Sequence, residues 1–448
     1  NSHNVAVGYQ AGKAFTTGQL NSVIGSLSGV ALTEAGRNTA VGYATLATDT
    51  LGSRSTAIGY GALSTQNFSS ATNTNNTAVG HASAAALTTG IQNTLIGSEA
   101  GDALTDADFN VAIGYSALTS DTQGSKSTAV GRGALNQQNF GSATDSHNTA
   151  VGFNSGVSVT NGIHNTYIGS QAGDSITGGS TNVVVGSSAY ISDTNSSKNT
   201  AVGHSALEAM NNASNTTSYN TAIGSDSGKA ISTGLRNTLV GSSSGDALTD
   251  ADYNCTLGYQ ALSADTRGVG TVAIGYKALQ LQNLTSIAYS YNTAVGYNSG
   301  LSVTSGLKNT LIGALSGDSI TTGYENTVVG YAALDSETSG VENTAIGAFA
   351  LSDSDGGSYN TAVGQNCLAD ITTGDQNTAI GIGMWLGLIM AYNVWFVIWP
   401  NQKKALGMVE VTPEVKAASA KTAMLFSRTN TLLSLPMLLS MVAAQNLY

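Results

Sequence analysis

The sequence predicts an all-β fold: a parallel β-solenoid, or β-roll, of about 22 coils over residues 1–383, followed by a C-terminal helical hairpin over 384–448. Three observations predict it. A five-residue motif, Asn-Thr-Ala-(Val/Ile)-Gly, recurs through residues 1–383. Its spacing follows a longer period of four motifs. Finally, the composition changes abruptly near residue 383, where the motif stops.

The repeat can be counted on its glycines, at 8, 25, 42, 59, 80, 97, 114, 131, 152, 169, 186, 203, 224, 241, 258, 275, 296, 313, 330, 347, 364 and 381. Each step is of 17 except 59→80, 131→152, 203→224 and 275→296, which are of 21. The long steps start at 59, 131, 203 and 275, a constant 72 apart, so three coils of 17 and one of 21 make a superrepeat. The step 347→364 lacks the insertion. Seventeen residues with this Gly, Ser and Thr content are too few for a helix, a strand and two turns, whereas stacked short strands fit.

Within a coil, the residue before the glycine is Val, Ile or Leu: Val7, Ile24, Val41, Ile58, Val79, Ile96 and onward. Strand side chains alternate between faces, so the Thr two places earlier shares its face. The expectation is an inward ladder of Val and Ile in one column, with the glycine permitting a turn that a side chain would resist. A second apolar position seven residues after the glycine, as at Leu104, Ile176, Ile231, Leu248 and Val303, suggests a second short strand per coil. Ala40, Ala57, Ala78, Ala112, Ala129, Ala150, Ala201 and Ala222 would then form an outer row. Such a row either packs tightly within the roll or meets another subunit.

The motifs Asn-Thr-Ala-Val-Gly-Tyr (38–43, 292–297) and Ser-Thr-Ala-Ile-Gly-Tyr (55–60) resemble the head repeats of trimeric autotransporter adhesins, and similar repeats of phage tail fibres. The resemblance covers residues 1–383. It implies a left-handed parallel β-roll, three chains side by side as a homotrimer, a cell-surface or virion-fibre location, and attachment to a host receptor or glycan. The 17-residue spacing departs from the shorter spacing of adhesin heads, and no heptad stalk follows.

Beyond residue 383 lie all three Pro, all three Trp and six of the seven Met. Residues 384–448 carry five of the 16 Lys/Arg and two of the 27 Asp/Glu, a formal +3 against −14 for the remainder. Residues 380–399 hold no charge, a length that spans a bilayer. Tyr392, Trp395 and Trp399 suit an interfacial belt, and Lys403 and Lys404 follow at once. With the apolar stretch over 422–448, the expectation is a two-helix transmembrane segment that makes a membrane the chain's partner there. Asn-Val-Trp (393–395), Trp-Pro-Asn-Gln-Lys-Lys (399–404) and Ser-Arg-Thr-Asn (427–430) look like part of the membrane domain of the bacterial membrane-bound urate hydroxylases. That resemblance implies membrane insertion. The segment has no His to serve as a haem or metal ligand, so no catalysis is carried over.

Chemical motifs are sparse. No phosphate-binding loop and no convergent Ser/His/Asp set occurs, and an acidic body does not suit nucleic acid. The chain reads as a non-enzyme with no cofactor and no metal. Asp102, Asp106 and Asp108 recur as Asp246, Asp250 and Asp252, which read as solvated acidic turns with calcium as the alternative. His81 and His204 occupy surface positions filled elsewhere by Tyr43, Tyr60 and Tyr115. Cys255 and Cys367 read as small buried residues.

The four insertions, 64–75, 136–147, 208–219 and 280–291, are the candidate binding loops, since stacking does not constrain them. Asn67, Asn139, Asn211 and Asn283 lie at matched places, with Phe68, Phe140 and Leu284 following three of them. The function expected is structural: a trimeric adhesin head or fibre shaft. The alternatives are a urate-hydroxylase-type membrane protein carrying the repeats as a passenger, and an ice-binding or surface-layer solenoid. A Thr ladder can order water, but Thr sharing a face with buried Val and Ile points inward, which disfavours ice binding.

Overall fold

The computed structural model describes residues 3–212, 216–370, 372–380 and 382–446. Gly381, the last glycine of the series, and 213–215 of the third insertion lie outside them. The fold is a parallel β-solenoid of about 22 turns with a C-terminal helical segment. Contacts divide the chain into two compact units, Asn1–Gly270 with Leu284–Ala288, and Thr271–Asn283 with Tyr289–Tyr448.

Each coil contributes one strand of three residues, the Thr-Ala-Val triplet of the motif. In the first unit these strands pair parallel from Val5–Val7 to Cys255–Leu257, and in the second from Val272–Ile274 to Thr378–Ile380. The register is strict: Val41 pairs with Ile58, Ile58 with Val79, and Val79 with Ile96, the single column expected from the sequence. The motif glycines have φ between +128° and +148°. A Cβ on Gly97 would also lie 2.3 Å from the carbonyl oxygen of Gly114 in the next coil. Only glycine meets both constraints.

The faces of the strand are the reverse of the expectation. The middle residue points in: Ala40, Ala57, Ala78 and Ala129 are all 0% exposed. The Val/Ile beside it points out, with Ile24 at 42% and Ile168 at 41%. The cause is the thinness of the coil. Its opposite wall already supplies a large side chain, Leu46, Leu63, Leu118 or Leu135, so the strand has room only for Ala.

In five coils a large inward residue is matched by Gly on the opposite wall, whereas Val184 and Val328 are followed at the same spacing by Tyr190 and Leu334. Val23, Leu95, Tyr167, Leu239 and Leu311 recur once per superrepeat, and Gly29, Gly101, Gly173, Gly245 and Gly317 face them. A Cβ on Gly173 would lie 2.5 Å from the Tyr167 ring. The superrepeat is therefore a volume pattern as well as a length pattern.

The second wall is not a second strand. It is a chain of turns whose apolar residues, such as Leu104, Ile176 and Leu248, are nonetheless fully buried. Non-glycine residues on it adopt left-handed φ, as at Ala44 (50°) and Leu46 (48°). Each such residue costs on the order of 1–2 kcal/mol, offset by coil-to-coil bonds such as Leu46 N–H to Ala62 O at 3.1 Å. Among the described residues, two-residue strands occur only beside insertions, as Gly52–Ser53 with Thr72–Asn73 and Gly124–Ser125 with Thr144–Asp145.

The motif Asn builds a buried ladder. Asn110 N–H donates to Asn93 Oδ1 at 2.9 Å, and Asn93 N–H to Asn76 Oδ1 at 2.9 Å. Most of the amide nitrogens donate to carbonyls further along the chain, as Asn93 to Ala107 at 2.8 Å, whereas Asn199 donates to the Tyr190 hydroxyl. Both ends of the buried amide are satisfied, which is why Asn recurs at this position.

The C-terminal part begins at Ile382, close to the expected boundary. Helix α1 (Ile382–Tyr392) passes through a π-helical stretch, Asn393–Ile398, into α2 (Trp399–Ala405). The chain returns as α3 (Pro413–Asn446), packed on both, so the expected hairpin forms. Buried Asn393 donates to Asn430 Oδ1 at 2.8 Å, and Asn430 to Met390 O at 3.0 Å, joining the arms. The membrane-spanning pair is a correction: among the described residues no helix is long and apolar enough to cross a membrane. The last solenoid strand takes the start of the apolar run, the π-helical stretch divides the rest, and α3 carries Glu414, Lys416, Lys421 and Arg428.

Candidate functional site

The insertions do not stand free of the solenoid. Asn67 and Asn139 are exposed, but their side chains accept from Thr50 Oγ1 (3.3 Å) and Thr122 Oγ1 (3.2 Å). Asn211 and Asn283 are exposed as well, with backbone N–H groups bonded to Ser232 O and Thr304 O at 2.9 Å. Phe68, Phe140 and Leu284 are corrections to the binding reading. Each is 6% exposed and points into the coil. What the insertions present outward is 69–71, 141–143 and 285–287, including Ile287.

A buried carboxylate holds each insertion in place. Asp121 Oδ1 accepts the N–H groups of Gly124 (3.0 Å) and Phe140 (3.2 Å), and Oδ2 accepts Gln138 Nε2 (2.6 Å). Gln138 in turn accepts Asn148 Nδ2 at 2.8 Å. Asp49 with Gln66 and Asn76 repeats the arrangement. Asp265 Oδ1 likewise accepts Gly268 N–H and Leu284 N–H at 3.1 Å. In the third superrepeat Met210 stands where the others have Gln. There the hydroxyl of buried Tyr190 bonds Asp193 and accepts Asn199 Nδ2 at 2.7 Å. Glu337 takes the fifth place, where no insertion follows, and its longer side chain reaches Gly356 N–H at 2.8 Å. Sequence reasoning missed this series, although its recurrence once per superrepeat, at Asp49, Asp121, Asp193, Asp265 and Glu337, was visible.

The strand wall is an uncommitted surface. Its outward columns are Thr and Val/Ile, so the Thr residues expected to point inward point out. Beyond the glycine stands a third column of exposed aromatics. Tyr43 stacks on Tyr60 with centroids 5.2 Å apart, Tyr60 on His81 at 5.3 Å, and Tyr276 on Tyr297 at 5.1 Å. Cys255, expected to be buried, occupies the Thr column and is exposed, while Cys367 is buried; both are free thiols.

Two Thr columns differ in their hydroxyls. On the turn wall, Thr88 donates to Thr105 O, Thr105 to Thr122 O and Thr321 to Thr338 O, at 2.9–3.0 Å. On the strand wall, Thr39, Thr56, Thr77, Thr94, Thr293 and Thr310 show no side-chain hydrogen bond among the described residues.

The acidic turns do not converge. Asp108 accepts Ile91 N–H and Asp252 accepts Leu235 N–H, each at 2.7 Å, and Asp250 pairs with Arg267 at 3.3 Å. Among the described residues no group of three or more His, Cys, Asp or Glu is placed to hold a metal ion. Asp335 is different: burial, with Asp318 and then Asp353 nearby, pushes its carboxyl up to about 6. Its Oδ1 is buried without a hydrogen bond.

On the hairpin, Leu388, Ile389, Tyr392, Trp395 and Phe396 are exposed and line a shallow groove. A family model described as the urate oxidase N-terminal region matches residues 361–447. The match takes in all three helices and the last two solenoid strands, and nothing before residue 361. No curated protein and no solved structure matches the chain.

Proposed function

We propose that this solenoid repeat protein is a structural attachment protein, a fibre shaft or adhesin head on a cell or virion surface, assembled from three parallel copies. The carrying observation is the strand wall, an uncharged face of half-exposed Thr, Val and Ile flanked by aromatics. A lone soluble chain rarely leaves so continuous an apolar face uncovered. Its columns repeat at about 4.8 Å, and the Thr column is broken at Val5, Ser22, Val111, Val183, Cys255 and Val272, of which Val111, Val183 and Cys255 lie one superrepeat apart. Only a partner with the same rise and superrepeat matches that pattern over many coils, and another copy of the chain is such a partner. The insertion tips 69–71, 141–143 and 285–287 are then the places offered to a receptor or glycan. The hairpin, with its aromatic face and net positive charge, rests on an anionic lipid surface without spanning it.

Sizing with light scattering tests assembly: three chains are expected. Ile96→Glu combined with Val151→Glu should release monomers with an unchanged circular dichroism spectrum. Oxidation should link copies through Cys255. A monodisperse monomer that resists this link overturns the reading.

The outward Thr hydroxyls favour a second reading, ice binding, because the reason for setting it aside was an inward Thr column. Free hydroxyls and methyls at regular spacing would hold ordered water. A monomer that shows thermal hysteresis, abolished by Thr310→Lys, would establish this reading over assembly.

A further inference from the structure

The residue before each motif Asn forms an exposed column on the coil corner. At several places adjacent rungs of this column attract each other. Lys198 lies over the Tyr219 ring at 5.2 Å, Arg236 over Tyr253 at 5.3 Å, and Lys308 bonds Glu325 at 2.7 Å. His147 and His164 break that pattern. Their rings are stacked with centroids 5.1 Å apart and 11° between planes. Neither imidazole has a hydrogen bond to protein among the described residues. Two neutral imidazoles gain little from facing each other, and two charged ones repel.

We propose that His147 and His164 form a surface site for a late divalent transition metal, Cu²⁺ before Ni²⁺ or Zn²⁺. The parallel ladder fixes the two backbones one rung apart, as in His164 N–H to Ser146 O at 2.8 Å. Both residues have left-handed φ, 51° and 59°, so both side chains leave the corner in the same direction. The rings are stacked, so a shared ion requires each to turn about its side-chain bonds until one nitrogen of each points at it. At about 2.0–2.1 Å from each nitrogen the ion spans up to about 4.1 Å, which rings on rungs about 4.8 Å apart can then reach. Imidazole suits these ions, and affinity rises toward Cu²⁺. Two protein ligands leave the remaining positions to water. Lys126, one rung before His147, is paired with Asp145 at 2.5 Å, which offsets its charge.

The test uses the full chain without an affinity tag, titrated with Cu²⁺ by calorimetry and followed by electron paramagnetic resonance. One ion per chain is expected, with a two-nitrogen signature. His147→Asn and His164→Asn should each weaken binding about tenfold or more, since loss of even an outer-shell partner costs a metal site that much. His81→Asn and His204→Asn should leave it unchanged. Equal losses at all four positions, or a one-nitrogen signature in the unmodified chain, would overturn the proposal. Circular dichroism of His147→Asn checks that the ladder is intact.

Discussion

The turn wall and the strand wall are made of the same few residue types, yet they treat those residues in opposite ways. On the turn wall the Thr hydroxyls, the Asp carboxylates that hold the insertions and the Asn amides find partners in the next coil. On the strand wall the backbone pairs from coil to coil, but the side chains of Thr, Val and Ile reach outward, and the Thr hydroxyls named above have no partner among the described residues. The first wall carries the stability of the stack. The second is left for something outside it. A solenoid can thus separate the groups that hold it together from the groups that it offers.

The largest effect should come from breaking the stack itself. Gly97→Ala places a Cβ against the Gly114 carbonyl at a backbone angle that Ala resists. It should cost at least about 4 kcal/mol, read as a collapse of the urea unfolding transition. An equal stability in the variant would show that coils can separate freely. Next is Asp121→Ala, which leaves the Gly124 and Phe140 N–H groups buried and unpaired and removes one of the two acceptors of Gln138 Nε2. About 3 kcal/mol of destabilisation is expected, with faster hydrogen exchange confined to the coils around 121–148.

A matched pair of substitutions isolates the difference between the walls. Thr321→Val removes a bond to Thr338 O and should cost about 1 kcal/mol. Thr310→Val removes none and should change stability by less than about 0.5 kcal/mol. Chemical denaturation of both, under conditions that keep the chain dissociated, decides the matter; equal losses would mean that the two walls do not differ as described.

The smallest effect is a pH dependence on the turn wall. Asp335 titrates near 6 in the fold against 3.8 as the ordinary value. A raised carboxyl binds its proton more tightly when folded, so stability falls as pH rises from about 4 to 6 and is flat above. Acidification from pH 7 to 5 should therefore slightly raise the midpoint of unfolding, and Asp335→Asn should remove that gain. A midpoint that drops over this range in the native chain but not in the variant would show the sign to be wrong.

Much of this architecture could be read before the fold was known. The 17-residue step, the superrepeat of four coils, the register of Val41, Ile58, Val79 and Ile96, and the glycine column follow from counting, because each coil must bring its strand back into register with the one before. Two kinds of information could not be read in this way. Thr-Ala-Val alternates equally well in either phase, and only the width left by Leu46, Leu63 and their equivalents places Ala inside and Ile outside. The insertions looked free by length alone, yet Phe68 and Phe140 turn inward because Asp49 and Asp121, one coil earlier, capture their backbones. The same limit applied to the C-terminal run, whose hydropathy suggested a membrane span before the π-helical stretch at Asn393–Ile398 and the last strand divided it. Periodicity is a property of the chain, and so the sequence alone determined it. Which side of a three-residue strand is buried depends on what stands across a gap one side chain wide, and only the tertiary structure places that neighbour.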